Sequence, residues 1–521
     1  VEAQEASAEE AETVVVERPS GVEGTDTVLA RGQGPYDRLV IRGATLVDGS
    51  GAPPRGPVDV VVEGDRITDV RVGSSRSRSG GPGDRAGSGE RTREIDARGM
   101  WLVPGFVDLH GHLHGERSWT PVAYPWKLWL AHGVTTVRDP GSGSGLEWTL
   151  RIRERSRRNE IPAPHVRVYA SVGSGWDRGP VDTPAAARDW VRWLAEQGAD
   201  GIKIRDTYDP AVARAVLEEA GRHGLGVAAH LTQMGVAQLD ALDAASAGLT
   251  TLEHWYGLPE ALFDDRTVQD YPLDYDYADE YDRFREAGRL WLQASEPGSE
   301  RWTTVRDSLL DLGLVLTPTL TIYEANRDVM RAREAEWHER YTLPELWEFF
   351  QPDPERHGSY WFRWRTADEV AWRENFRRWM RFLDGYNDRG GAVCTGSDSG
   401  YIYKVYGFGF VRELELLQEA GFHPLEVIRS ATQCGARALA RPTGEEPDFG
   451  VIRPGRRADL VLVPANPVDD FKVLYGTGAV RLNREAGEVR RVGGVRWTIR
   501  GGVVFDARRL LEDVERMVGS R

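Results

Sequence analysis

His110 and His112 stand two positions apart at the end of an apolar run, Pro104-Gly-Phe-Val-Asp-Leu-His-Gly-His112. On an extended strand, side chains at i and i+2 point to the same face, so both imidazoles can reach one metal ion. Taken alone, the pair reads equally well as two polar residues at a strand-to-loop transition. Four further residues decide between these readings: Lys203, His230, His254 and Asp398, each at the end of an expected strand. Imidazole nitrogens and carboxylate oxygens are the donors that zinc and similar divalent ions prefer. A lone histidine among these would be read as a satisfied core residue. Four histidines and an aspartate on one rim are hard to explain by packing.

Lys203 sits in Gly201-Ile-Lys-Ile204, where the two isoleucines face one side of the strand and the lysine faces the other. A lone ammonium inside a protein is costly and lowers its own pKa. A neutral amine there can take up carbon dioxide as a carbamate, an anion with two oxygens suited to bridging two metal ions. The other reading is a lysine paired with a nearby carboxylate, such as Asp206.

These positions need strands that end on one rim, and the middle of the chain supplies them. Eight short β-rich runs, at 102–108, 135–138, 166–170, 201–204, 226–230, 250–254, 314–320 and 392–396, alternate with helical stretches such as 185–197 and 210–223. That alternation predicts a (β/α)8 barrel of the α/β class, in which catalytic groups gather at the strands' C-terminal ends. An open doubly wound sheet is weakened by the lack of G-x-G-x-x-G after an early strand. Strand patterns at 36–98 and 448–505 predict a small composite β-sandwich domain built from both chain ends around the barrel at 99–447, with a C-terminal helix at 506–521.

Two intervals, about 256–312 and 322–390, are too long for simple connections. In the second, Trp337, Trp347, Trp361, Trp364, Trp372 and Trp379 interleave with Arg363, Arg365, Arg373, Arg377 and Arg378. This predicts an amphipathic helical insertion packing its aromatics on the barrel, compatible with a lid over the barrel mouth or a subunit contact. The Ser/Arg/Gly run at 74–89 reads as a flexible loop.

A formal net charge of -15 argues against nucleic acid as a general partner. No apolar run approaches bilayer-spanning length. The two cysteines, Cys394 and Cys434, stand in apolar contexts that predict buried free thiols. A start at Val1, followed by an acidic, alanine-rich arm through about residue 35, fits an exported (periplasmic or secreted) protein whose signal peptide has been removed; a chain trimmed at its start, cytoplasmic included, would read the same.

Six segments together carry a family resemblance: Val103-Pro-Gly-Phe-Val-Asp-Leu-His-Gly-His112, Gly133-Val-Thr-Thr-Val-Arg-Asp139, Gly198-Ala-Asp-Gly-Ile-Lys-Ile204, Thr251-Leu-Glu-His254, Thr395-Gly-Ser-Asp398 and Ile452-Arg-Pro-Gly-Arg-Arg-Ala-Asp-Leu-Val-Leu462. Across roughly residues 36–505 the chain resembles the amidohydrolase superfamily, in its branch of binuclear, prolidase-like and imidazolonepropionase-like metal-dependent hydrolases. The resemblance implies that His110, His112 and Asp398 hold one divalent ion, zinc by expectation. His230 and His254 would hold a second, and N-carboxylated Lys203 would bridge the two. A shared hydroxide, made available because a divalent cation lowers the pKa of bound water to about 7, would attack a carbonyl, with Asp398 acting as base and then acid.

The expected reaction is hydrolysis of an amide bond in a small substrate such as a dipeptide or N-acyl amino acid. Alternatives on the same scaffold are opening of a cyclic amide, hydrolysis of a lactone or ester, and deamination. Lys203 speaks against deamination, since deaminases of this superfamily usually use one metal and lack the strand-four lysine. Serine hydrolysis is disfavoured, because Gly396-Ser-Asp-Ser-Gly400 has aspartate where the nucleophile belongs. A non-catalytic scaffold should have lost ligands, and all six are kept.

The chain departs from the family pattern at positions expected to face the substrate. Relatives often carry small residues after the strand-four lysine, where this chain has Arg205-Asp-Thr-Tyr208; His230-Leu-Thr replaces His-Ala, and Trp255 stands where glycine is common. Arg205 suits a substrate carboxylate or an internal pair with Asp206 or Asp209. Tyr208, Trp255 and Tyr323 are candidates for lining an apolar or aromatic pocket. The partner expected is a small molecule, with a homo-oligomer possible.

Overall fold

A computed structural model describes residues 32–72, 91–113, 120–205, 209–353 and 360–519. Tyr208, Asp206, the loop at 74–89 and most of the acidic arm lie outside the described residues. Gln33, expected in that arm, instead exchanges backbone hydrogen bonds with Val504 at 2.9 Å in each direction.

The first sheet draws its strands from both chain ends. Val503–Asp506, Trp497–Arg500, Leu460–Val463, Trp101–Pro104, Arg38–Leu46, Arg55–Glu63 and Arg66–Val72 neighbour one another in that order, with Thr92–Asp96 beside Arg38–Leu46. Alternating apolar positions on these strands, Leu39, Ile41, Val60, Val62, Leu460 and Leu462, bury one face as their own core. Val480, Leu482 and Val489 lie on a separate two-stranded hairpin, Ala479–Asn483 with Glu488–Val492, and are exposed.

The second sheet is parallel and runs Phe106–Asp108, Val134–Gly141, His165–Ser171, Gly201–Ile204, Gly226–Ala229, Thr251–Glu253, Val315–Thr317 and Ala392–Val393 in chain order. Hydrogen bonds from Leu109 N to Thr395 O (3.0 Å) and from Asp398 N to His110 O (2.7 Å) join its first and eighth strands. The sheet thereby curls back on itself, the geometry of a (β/α)8 barrel.

The expected run 102–108 divides in two here: Trp101–Pro104 pairs antiparallel with Leu460–Val463, and only Phe106–Asp108 enters the barrel. Gly105 is the joint, since a Cβ there would come within 2.2 Å of the Thr135 hydroxyl oxygen. Helices between strands begin at caps that the sequence carries. Thr183 accepts from Ala186 N before Pro184–Glu196, and Asp209 accepts from Ala211 N before Pro210–Arg222, each with proline in the first turn.

Both long intervals carry helices among the described residues, with an irregular stretch at 262–279 in the first. Helix Thr366–Asp388 lays Trp372 and Trp379, both fully buried, against Trp255, which also stacks on Trp291. Cys394 and Cys434, expected as free thiols, are joined as a disulfide with Cα atoms 5.4 Å apart. The turn Ser430–Cys434 docks against the end of strand eight, where Thr395 N donates to Ser430 O (3.4 Å). A separation of 40 residues hides that neighbourhood from the sequence. No helix among the described residues is long and apolar enough to cross a membrane.

Candidate metal centre

Strand ends deliver the six residues to one place. Asp398 Oδ1 lies 3.2 Å from His112 Nε2 and 3.6 Å from His110 Nε2, and its Oδ2 lies 3.7 Å from His254 Nε2. The His230 ring stands 4.7 Å from that of His254, which is 4.9 Å from His110. Ligand atoms of His110, His112 and Asp398 lie within 4.8 Å of one another, close enough to share one ion.

Lys203 is buried on the fourth strand, with no hydrogen-bond partner for its Nζ among the described residues. Burial brings its pKa down to about 8, and its charge is felt by all four histidines. His112 and Asp398 keep some exposure, 25% and 14% of their side chains, whereas His110 and His254 are enclosed. The site therefore opens to solvent on the side of His112, His230 and Asp398.

Local backbone geometry aims these groups. His254, Thr319 and Asp398 adopt positive φ values of 62°, 52° and 47°, which are uncommon for residues other than glycine and cluster at functional sites. His254 N donates to Thr317 O (2.9 Å), and His254 Nδ1 meets the Thr319 hydroxyl at 2.5 Å, turning Nε2 toward Asp398. Gly396 gives the eighth strand room to pass, because a Cβ there would approach His110 Cβ to 2.9 Å.

Three further side chains orient the centre. Glu253 Oε2 meets His110 Nδ1 at 2.6 Å, which leaves His110 Nε2 for a metal. Arg138, fully buried, donates through Nη2 to Glu253 Oε1 (2.5 Å) and through Nη1 to the Thr251 hydroxyl (2.7 Å). Burial works to raise Glu253, but Arg138 and His110 outweigh it and hold the carboxylate below its usual range. Asp108 accepts from Ser397 N (2.9 Å), the Ser397 hydroxyl (2.6 Å) and His110 N (3.1 Å), tying the first strand to the eighth.

Glu253→Gln, which keeps the shape but removes the charge, should weaken metal binding about 10–100-fold, the usual cost of losing an outer-shell partner. Titration with a competing chelator measures this; unchanged affinity would show that Glu253 does not tune the centre.

The donor set suits a divalent metal. Burial pulls His110 to about 4 and His254 to about 3, and it holds His230 well below 6.5, so these imidazoles are neutral at pH 7, as ligation requires. Burial would raise Asp398, but His110, His112 and His254 around it outweigh this and keep it ionised.

The substrate candidates fall out differently. Trp255 is fully buried among Trp291, Trp372 and Trp379, so it supports the site rather than facing it. Its neighbour Tyr256 lies 4.9 Å from the His230 ring, and the Tyr323 hydroxyl donates to the Tyr256 hydroxyl at 3.3 Å. Tyr323 itself stands 5.6 Å from the His254 ring. Arg205 is exposed at the end of strand four. Trp255→Ala should cost about 3–5 kcal/mol of stability, whereas Trp255→Phe keeps turnover. Thermal unfolding of both variants checks this, and a Trp255→Ala protein as stable as the parent would refute it.

Fold and site together define a class: a (β/α)8 barrel with a metal-binding constellation on the rim where its strands end. No family model matches the chain. It is 32% identical over 215 residues to N-acyl-D-aspartate deacylase of Alcaligenes xylosoxydans xylosoxydans, a match covering 41% of this chain and 36% of that enzyme, so it spans just over a third of the relative's length. Its fold matches bottromycin amidohydrolase with a TM-score of 0.63 at 20% identity, covering 96% of this chain and 94% of the other. A Xaa-Pro dipeptidase with methionine in its active site matches with a TM-score of 0.58 at 18% identity, over 90% of this chain and 100% of the other. These structural neighbours, both below 25% identity, show the fold alone, and the relative in sequence is itself a deacylase.

Proposed function

We propose that this chain is a metal-dependent hydrolase that cleaves an amide bond in a small substrate, an N-acyl amino acid or a dipeptide. The observation that carries the proposal is the convergence of three imidazoles on Asp398 beside a buried lysine whose Nζ has no hydrogen-bond partner among the described residues. In this reading His110, His112 and Asp398 would hold one divalent ion and His230 and His254 a second, with Lys203 as its carbamate serving as a shared ligand. Carbamate formation adds carbon dioxide to the neutral amine and releases one proton, which a depressed lysine pKa favours.

When bound, such ions make a water acidic near neutral pH and polarise a carbonyl. The chain's own groups do the rest. Asp398, ionised and partly exposed, accepts a proton from the attacking water and returns it to the departing nitrogen. Tyr256 and Tyr323, buried and joined through their hydroxyls beside His230 and His254, back the centre and hold those imidazoles in place.

Zinc is the metal we favour, because neutral imidazoles and carboxylate oxygens match its preferences. Export is the location we favour, because a disulfide between Cys394 and Cys434 suits an oxidising compartment. A panel of D- and L-N-acyl amino acids and dipeptides, assayed with zinc and bicarbonate, tests the activity. Hydrolysis that disappears on chelation supports the proposal. A metal-replete protein inert toward every amide in the panel would overturn it.

A further inference from the structure

A cavity of about 610 Å3 opens among helices Leu320–Arg327, Val329–Arg333, Thr366–Asp388 and the end of Phe408–Ala420, and none of the six candidate ligands lines it. Five of its lining residues are arginines: Arg327, Arg331, Arg373, Arg377 and Arg381. The carboxylates lining it are Asp328 and Glu419, so positive groups exceed negative ones by three in a chain whose net charge is -15. We infer that this cavity binds a small polyanion carrying two or more carboxylate or phosphate groups.

Part of the cavity wall is fixed by internal pairs, and Arg377 and Arg381 stand exposed beside it. Arg327 donates to both oxygens of Glu419 at 2.8 and 3.0 Å, and its guanidinium rests over the Phe376 ring at 4.5 Å. Arg373 donates through Nε to Arg327 O at 3.2 Å and approaches Asp328 and Glu369 only at 3.6 and 3.7 Å, and Arg331 approaches Glu324 at 3.6 Å, too long for a hydrogen bond. Glu324 is already neutralised by Lys404 and Arg412, each at 2.6 Å, so it draws little on Arg331. Arg377 pairs with Glu374 along its own helix.

Arg381 is exposed and makes no hydrogen bond or ion pair with any described residue. An exposed ion pair such as Arg377 with Glu374 contributes little and is readily exchanged for a ligand. Guanidinium forks match carboxylate and phosphate oxygens two at a time. Arg327 also closes the helix that starts beside Thr319, the partner of His254, so the cavity and the candidate metal centre sit at opposite ends of one helix.

Calorimetric titration of the metal-loaded full chain tests the inference, with succinate and glucose 1,6-bisphosphate as separate probes for carboxylate and phosphate sources. Saturable binding of either probe is expected, weakened at least about tenfold in Arg377→Ala/Arg381→Ala by loss of charge-assisted hydrogen bonds. Arg381→Lys should recover part of that loss. The double variant should keep the parent's melting temperature and its turnover without probe. Absence of saturable binding by both probes would overturn the inference, and so would binding that the double variant leaves unchanged, since the anion would then lie elsewhere.

Discussion

Asp398→Asn lowers kcat by about 10²–10⁴-fold, the contribution expected of a positioned proton-transfer group. The amide keeps an oxygen that can face His110 and His112, so metal content should fall far less than turnover. The two effects separate because the proposal gives Asp398 two jobs: its oxygens lie 3.2–3.7 Å from three imidazole nitrogens, and its carboxylate also keeps some exposure. Steady-state kinetics and metal analysis on one preparation read both. A variant that turns over like the parent would move the proton-transfer role to another group.

Lys203→Ala reduces turnover by more than the roughly 10–100-fold that loss of an outer-shell partner costs, and it lowers metal occupancy as well. The lysine lies buried at the end of its strand with an Nζ that no described residue satisfies. An unmet buried amine is costly, unless its chemistry turns it into a ligand. Removing the side chain leaves space that a small carboxylate such as acetate or propionate can enter, so partial rescue of Lys203→Ala by those acids is expected. Rescue that fails, together with unchanged metal content, would assign Lys203 a packing role instead.

Much of this site was legible in the sequence because a barrel puts strand ends on one rim, and residue type then marks chemistry. His110, His112, Lys203, His230, His254 and Asp398 could all be found that way. A charged residue within an apolar strand marks Arg138 in Val134–Gly141 and Glu253 in Thr251–Glu253 in the same way as Lys203. Thr319 carries no local signal, since its role comes from a left-handed backbone and a contact with His254 across 65 residues. Trp255 was misplaced by one position: on a chain leaving a strand, adjacent side chains diverge, so Trp255 turns into the aromatic core and Tyr256 turns to His230.

The fold divides along the same line. The eight parallel strands follow from apolar runs bounded by capped helices, whereas the split at Gly105 depends on a contact with Thr135 that only the folded chain reveals. The cysteine pair is a second case: apolar flanks predict burial, which both the sequence and the structure give for Cys394, but say nothing about the distance between Cys394 and Cys434. Long-range pairing was the information missing in each.

Metal analysis by plasma mass spectrometry, on protein produced with zinc and bicarbonate, tests the dinuclear centre most directly. About two divalent ions per chain are expected, falling to one or none in Lys203→Ala. A parent protein that retains no metal under these conditions, or a Lys203→Ala variant that still holds two ions, would contradict it.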